Sequence, residues 1–235
     1  MALILNIDTA TEHASICLSK DGELISLKSN PNQKDHAAFI QPAIKEMLQA
    51  VGYKLQDIAA IAVSNGPGSY TGLRVGLSTA KGLCYALNKP LLLINTLEII
   101  STAAIQNVNQ LSTLNSQLPT LFCPMIDARR MEVFTAVYDE QLNEIQPPSA
   151  MILEENSFVE LLLNHNLIFS GSGADKFEKV IENNNAYFLK AKHDASHMQT
   201  IAENLYLLKS FADKAYSEPF YLKEFFTPAS KLKSD

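Results

Sequence analysis

The chain has 235 residues, and 19 Lys and Arg against 25 Asp and Glu give it a net charge of −6 at pH 7. Its length is typical of one or two domains, and a hydrophobic content of 47% excludes a disordered chain. The acidic balance disfavours a protein that grips nucleic acid unaided, and the apolar runs are too short to span a membrane.

The first half of the chain begins with short apolar runs and then changes to helical spacing. A turn at Asp21-Gly22 predicts a hairpin, because glycine accepts a positive φ. In chain order we expect strands at 3–7, 14–18 and 24–27, a helix at 39–51, a strand at 60–63, a helix at 70–87, a strand at 91–94 and a helix capped by Thr96.

The second half repeats this order of elements. We expect strands at 121–126 and 131–138, a third strand near 150–153, a helix at 158–163, a strand at 167–169, a short helix, a strand at 186–189 and a long helix at 196–211. The pattern β-β-β-α-β-α-β-α therefore occurs twice. It predicts an N-terminal lobe at 1–105, a C-terminal lobe at 106–225, and a flexible tail at 226–235.

Asp8 and Asp127 end the first strand of each half. A duplicated α/β lobe with an acidic residue at this point resembles the actin-like ATPase (ASKHA) and sugar-kinase superfamily, whose lobes have a ribonuclease-H-like fold and hold nucleotide between them. Loops at the carboxyl ends of strands commonly form the sites of open α/β sheets.

Three blocks make the resemblance more specific: Ile7-Asp8-Thr9-Ala10-Thr11, the glycine loop from Asn65 to Gly76 (NGPGSYTGLRVG), and Ile126 to Phe134 (IDARRMEVF). Together they closely resemble the bacterial TsaB (YeaZ) family. Pro219-Phe220-Tyr221-Leu222-Lys223 is similar to that family's closing Pro-x-Tyr-Leu-Arg segment, with Lys223 where arginine is usual. Lysine lacks the planar fork of arginine, so a bidentate contact is not expected at this position.

The resemblance implies a noncatalytic subunit that pairs with the catalytic paralogue TsaD. With the ATPase TsaE, this pair places threonylcarbamoyl on the adenosine 3′ of the tRNA anticodon. By the same resemblance the chain requires no cofactor of its own, and ATP or ADP is expected at or near the partner interface. The chain is expected to reach tRNA through the complex, to form a homodimer when alone, and to be cytoplasmic, which agrees with three scattered cysteines.

The catalytic paralogue binds a metal through a His-x-x-x-His motif after its fifth strand. The matching positions here are Thr96 and Ile100, which are not metal ligands. A different His-x-x-x-His, His193 to His197, precedes the last helix. Asp194 or Ser196 is expected to cap the helix there, with metal binding by the two imidazoles as the less favoured alternative.

The glycine loop has two open interpretations. Its backbone amides and the end of the first strand can contact a nucleotide phosphate, or the loop is a strand-to-helix turn. The residues that would make the nucleotide contacts are Asp8, Thr9, Gly66, Gly68 and Ser69. Neither Asp8 nor Asp127 is followed by the glycine that active kinases of the superfamily carry.

Gly72, Gly76 and Ala80 recur every four residues along one face of the second helix, which allows another element to approach closely. The alternative is that both long helices simply pack on their own sheet. Because the resemblance assigns docking to these helices, we expect a partner interface formed by His36, Phe39, Ile40, Ala43, Met47, Thr71, Gly72, Gly76 and Ala80.

The resemblance thus implies a noncatalytic scaffold that docks on TsaD. Three rivals are an actin-like small-molecule kinase or ATPase, a metallopeptidase, and a nucleotide-sensing homodimer. The missing loop glycines disfavour the first, and Thr96 and Ile100 disfavour the second.

Overall fold

The structure is a computed structural model that describes residues 2–32, 35–111 and 114–223. The tail predicted at 226–235 lies outside these residues. None of the helices in the described part of the chain is long and apolar enough to cross a membrane.

The first sheet has the strand order β3-β2-β1-β4-β5. β1 pairs antiparallel with β2 and parallel with β4. The Asp21-Gly22 hairpin is confirmed, with φ values of 53° and 79° in the left-handed region. The elements are β1 (Leu3–Asp8), β2 (Ala14–Lys20), β3 (Glu23–Asn30), α1 (His36–Val51), β4 (Ala60–Gly66), α2 (Tyr70–Leu87), β5 (Leu91–Asn95) and α3 (Thr96–Asn107).

The second sheet repeats this topology in the order β10-β9-β6-β7-β8. Its elements are β6 (Thr120–Asp127), β7 (Glu132–Tyr138), β8 (Glu144–Ile152), α4 (Val159–Leu162), β9 (Asn166–Ser170), α5 (Ala174–Phe177) and β10 (Ala186–Leu189). A 3₁₀ helix (Ala195–Met198) then leads into α6 (Gln199–Leu207). The predicted fold of two duplicated actin-like lobes, each with a ribonuclease-H-like plan, is confirmed.

Three boundaries in the second half differ from the prediction. β8 begins at Glu144, ahead of the apolar run at 150–153. Its first residues are exposed, so hydrophobicity does not mark the start of the strand. α4 is a single turn, and α6 with its 3₁₀ lead-in ends at Leu207 rather than at residue 211.

The last helix of each half packs on the sheet of the other half. In α3, Leu97 and Ile100 lie in one apolar cluster with Ile126 and Tyr138 of the second sheet. The 3₁₀ helix and α6, which we expected to complete the second lobe, instead pack on the first sheet. Their buried residues Ala195, Met198 and Ala202 meet Ala2, Ile4, Cys17, Ala60 and Ala62. This exchange buries apolar surface between the two halves.

The opposite face of the first sheet is covered by α1 and α2. This core includes Leu5, Ile7, Ile16, Leu18, Ile61 and Val63 from the strands and Ile40, Ala43, Ile44, Met47, Leu77, Ala80 and Cys84 from the helices. Because both faces of the sheet are covered, β1 is buried along its whole length. Its carboxyl end therefore emerges in the middle of the molecule.

Candidate functional site

A cleft of about 1330 Å³ lies between the lobes, where β1 and β6 end. Its walls include the β1–β2 loop, the glycine loop after β4, the β6–β7 turn and the chain after β10. The cleft is the first candidate site, since strand ends of this kind form the sites of open α/β sheets.

Asp8 lies beneath the first-lobe wall of the cleft and is only 1% exposed. Its Oδ1 accepts a hydrogen bond from the Ala10 amide at 3.1 Å, and its Oδ2 lies 3.8 Å from His193 Nε2. The same imidazole nitrogen lies 3.3 Å from Thr11 Oγ1. Burial lowers the pKa of His193, although the Asp8 charge opposes this shift. The imidazole is therefore neutral at pH 7, in contact with the buried carboxylate.

The helix cap expected at the His193-x-x-x-His197 motif is confirmed. Asp194 Oδ1 accepts from the Ser196 amide at 2.8 Å, and the Asp194 amide donates to His197 Nδ1 at 3.1 Å. Burial would raise the pKa of Asp194, but hydrogen bonds from His197 and Ser196 lower it to about 2. His197 is thus held by the cap, while His193 points to Asp8. Within the described ranges, no three His, Cys, Asp or Glu side chains are grouped as metal ligands.

The glycine loop is pressed against the end of β1. The Ser69 amide donates to the Ala10 carbonyl at 2.7 Å, and Thr9 Oγ1 donates to the Gly72 carbonyl at 2.7 Å. A Cβ added at Gly68 would lie 2.2 Å from Ala10 O. Gly66, which has a φ of +112°, would place a Cβ 2.5 Å from Phe220 O. These contacts explain the glycines without a phosphate.

The small-residue stripe of α2 faces the chain itself, which corrects the predicted interface. A Cβ at Gly72 would lie 2.0 Å from the Thr9 carbonyl oxygen, and one at Gly76 would lie 2.3 Å from Thr9 Oγ1. Ala80 is buried in the first core. The closely approaching element is therefore the end of β1, and these three residues are unavailable to a partner.

Most of the interface residues predicted on α1 are also buried. Ile40, Ala43 and Met47 pack in the first core, because the helix turns them toward β2 and β3. His36 is buried, with Nε2 3.2 Å from the Glu12 carbonyl oxygen. Of the nine predicted residues, Phe39 is half-buried and Thr71 is exposed.

The exposed face of α2 lies on the opposite side of the helix from the glycine stripe. Thr71, Arg74, Val75 and Ser78 line a shallow depression of about 310 Å³ together with Tyr70. The Arg74 guanidinium lies 4.0 Å from the centre of the Tyr70 ring, and its Nε donates to the Tyr221 hydroxyl at 3.2 Å. We call Thr71, Arg74, Val75 and Ser78 the outer face of α2. The spacing i, i+3, i+4, i+7 of these residues is a signal in the sequence for one helix face.

Asp127, which occupies the equivalent of the Asp8 position in the second lobe, is paired within its own lobe. Lys176 Nζ lies 2.7 Å from Asp127 Oδ1, and the Arg129 amide donates to the same oxygen at 2.6 Å. Burial would raise the pKa of Asp127, but these two hydrogen bonds together lower it.

Comparisons with known proteins give this architecture a family. A family model described as "TsaD: tRNA N6-adenosine threonylcarbamoyltransferase" matches residues 30–232. The chain belongs to this family. Within it, the chain is similar to TsaB (YeaZ) proteins, since curated relatives across bacteria are named TsaB and structural neighbours are named YeaZ.

Two TsaB relatives and one solved structure illustrate the match. The "tRNA threonylcarbamoyladenosine biosynthesis protein TsaB" of Bacillus subtilis is 28% identical over 76% of this chain and 75% of the relative. The Haemophilus influenzae protein of the same name is 26% identical over 94% of this chain and 93% of the relative. "YeaZ from Pseudomonas aeruginosa" has a TM-score of 0.79 and 22% identity, and it covers 94% of this chain and 100% of its own.

Proposed function

We propose that this chain is a noncatalytic subunit of tRNA threonylcarbamoyladenosine biosynthesis that docks on a TsaD protein and holds it in an active arrangement. The TsaB names of its relatives support a part in that pathway. The polar groups on the first-lobe wall of the cleft are engaged in contacts within the chain, whereas the long helix α2 has an exposed outer face. This contrast favours docking over catalysis.

The loops that would hold a nucleotide in an active kinase are occupied by the chain itself. The Ser69 amide donates a hydrogen bond to the Ala10 carbonyl, and the Thr9 hydroxyl donates one to the Gly72 carbonyl. Asp8 is covered by His193. A phosphate at this point would have to displace several of these contacts. This argument supports a chain that requires no cofactor of its own, and ATP or ADP near the partner interface stays part of the proposal.

Thr96 and Ile100 occupy the positions that the resemblance matches to the metal-binding histidines of TsaD. Thr96 and Ile100 lie one turn apart at the start of α3, both buried, and Ile100 packs against the second sheet. Isoleucine has no donor atom, so a two-residue metal site cannot form there. This argument disfavours the metallopeptidase.

The docking surface that we propose is the outer face of α2, extended by Phe39 on α1. Tyr70 and Arg74 lie at one end of it, and tyrosine and arginine are the residue types that most often dominate binding energy at interfaces. Since TsaD belongs to the same family, its own α2 can pair with this one about a pseudo-twofold axis. The same face would serve for self-pairing when TsaD is absent, and the pair would receive TsaE and tRNA.

The experiment that tests this function is tRNA modification by TsaD, TsaE and the donor-forming enzyme, with and without this chain, measured by nucleoside mass spectrometry. Modification that appears only when the chain is added is the expected result. Equal modification without the chain would contradict a required subunit.

The rival kinase or ATPase is tested on the isolated chain. ATP turnover that is lost in Asp8→Ala would favour an enzyme. We expect no turnover in either protein, because the loop amides and Asp8 are already engaged. Nucleotide-dependent dimerisation without affinity for TsaD would favour the nucleotide-sensing homodimer.

A further inference from the structure

The segment Pro219–Lys223, which we call the strap, crosses the mouth of the cleft from one lobe to the other. Its residues from Phe220 to Lys223 line the cleft. On the first lobe, the Phe220 amide donates to the Asn65 carbonyl at 2.7 Å. The Phe220 carbonyl oxygen lies so close to Gly66 that a Cβ there would be 2.5 Å away. The strap therefore meets the glycine loop backbone to backbone, in a contact that only glycine permits.

The next residue of the strap lies at the start of α2. The Tyr221 hydroxyl accepts a hydrogen bond from Arg74 Nε at 3.2 Å, and the Tyr221 and Tyr70 ring centres are 5.5 Å apart. Arg74 belongs to the outer face of α2. Anything that docks on this face therefore lies beside the strap.

The end of the strap is attached to the second lobe. Lys223 Nζ lies 2.9 Å from Glu132 Oε1 and 2.6 Å from Oε2, so the ammonium contacts both carboxylate oxygens even without the fork of an arginine. Glu132 is the first residue of β7 and follows the turn after Asp127. Its side chain is 21% exposed, whereas that of Lys223 is 61% exposed.

A chain this short limits how far the lobes can separate. Three residues extend over at most about 10 Å, so the distance from Phe220 to Lys223 has a fixed upper bound. Wider opening of the cleft requires one end of the strap to detach. The Lys223–Glu132 end is the weaker one, because an exposed ion pair is screened by water and salt, whereas the Phe220 end is held by backbone.

We propose that the strap is a releasable clasp that sets the separation of the lobes and links it to the docking face on α2. The clasp is a property of the lone chain. The link to docking rests on the proposed function.

The clasp is tested by double electron–electron resonance on the full chain with spin labels at Glu12→Cys and Lys179→Cys, which are exposed on the first and second lobes. The native cysteines are buried, and burial raises the pKa of Cys17 to about 12 and that of Cys84 to about 11. Burial also raises the pKa of Cys123. These thiols are protonated and shielded, so the label goes to the introduced positions.

The decisive comparison uses Lys223→Ala and a matched control. Lys190→Ala removes another exposed lysine whose ion pair, with Asp175 at 3.7 Å, stays inside the second lobe. We expect Lys223→Ala to lengthen the mean distance and broaden its distribution. The distributions of Lys190→Ala and of the conservative Lys223→Arg should match the wild type. Superimposable distributions for all four proteins would overturn the clasp.

The link to docking uses the same labels in the presence of a TsaD protein. A shifted distribution on binding supports the link, and binding without a shift contradicts it. A failure to bind would count against the proposed function, while the measurement on the lone chain would still decide the clasp.

Discussion

The two lobes share a topology but cover their sheets differently. The first sheet is covered by α1 and α2, which have 16 and 18 residues, whereas the matching α4 and α5 of the second lobe have four residues each. In the second lobe, a cluster of phenylalanine rings covers the sheet where the first lobe has long helices. The ring centre of Phe169 lies 5.4 Å from that of Phe158, 4.9 Å from that of Phe177 and 5.3 Å from that of Phe188. A long helix that covers a sheet leaves its opposite side exposed to a partner, whereas clustered phenylalanine rings contact one another. The proposed docking surface therefore lies on the first lobe.

The two aspartates that end β1 and β6 also differ in their surroundings. Asp8 is buried beside His193, whereas the Asp127 side chain is 43% exposed and paired with Lys176. A duplicated position thus became part of the interior in one lobe and a solvated ion pair in the other.

The largest effect that the comparison predicts is at Gly72. In Gly72→Ala the new methyl group would meet the Thr9 carbonyl oxygen at 2.0 Å, and backbone cannot move aside cheaply. We expect the free energy of unfolding to fall by about 3 kcal/mol, the upper end of typical overpacking costs. Urea denaturation followed by circular dichroism measures it.

Gly82 is the matched control on the same helix, since nothing lies within 4 Å of a Cβ added there. Gly82→Ala should raise the free energy of unfolding by about 1 kcal/mol through helix propensity alone. Equal effects at both glycines would contradict the packing of α2 on the end of β1.

A glycine-to-alanine change in the loop after β9 of the second lobe should cost less free energy of unfolding. At Gly173 the nearest atom to an added Cβ is the side-chain carbon Val133 Cγ1 at 2.7 Å, and a methyl group yields more easily than a carbonyl. We expect Gly173→Ala to lower the free energy of unfolding by about 1 kcal/mol in the same denaturation experiment. A larger loss in the free energy of unfolding for Gly173→Ala than for Gly72→Ala would contradict this comparison of the two lobes.

A smaller, pH-dependent effect separates Asp8 from Asp127. Burial lowers the pKa of His193 in the folded chain, so the unfolded chain takes up a proton first as the pH falls below about 6.5. Stability is therefore lost on acidification from about pH 7 toward pH 5. His193→Gln should flatten this part of the profile of melting temperature against pH.

The control for this titration is in the second lobe. Burial would raise the pKa of Asp127, but hydrogen bonds from Lys176 and the Arg129 amide hold this pKa below its ordinary value of 3.8, outside the range from pH 5 to 7. Lys176→Gln should therefore shift the whole profile and leave its slope in this range unchanged. A His193→Gln profile as steep as the wild type would contradict the buried neutral imidazole.

Local patterns predicted the order of elements, the Asp21-Gly22 turn and the Asp194 cap, because each depends on residues close in sequence. The spacing of the α2 glycines shows that one helix face is smooth, but it does not show that the end of β1 packs against this face. The contact between Thr11 and His193 joins residues 182 positions apart, and no local signal marks it. The exchange of α3 and α6 between the sheets was missed for the same reason, since their apolar stripes fit either sheet.

The central claim, docking through the outer face of α2, is tested most directly by calorimetric titration of a TsaD protein with Ser78→Arg. Ser78 is exposed and lies away from the strap, so arginine should block docking without disturbing the fold. Thr200→Arg places an arginine at an exposed position of α6 and serves as the control. We predict that Ser78→Arg weakens binding by at least about 30-fold, as expected at the centre of an interface, while Thr200→Arg binds like the wild type. Wild-type affinity in Ser78→Arg would contradict the claim.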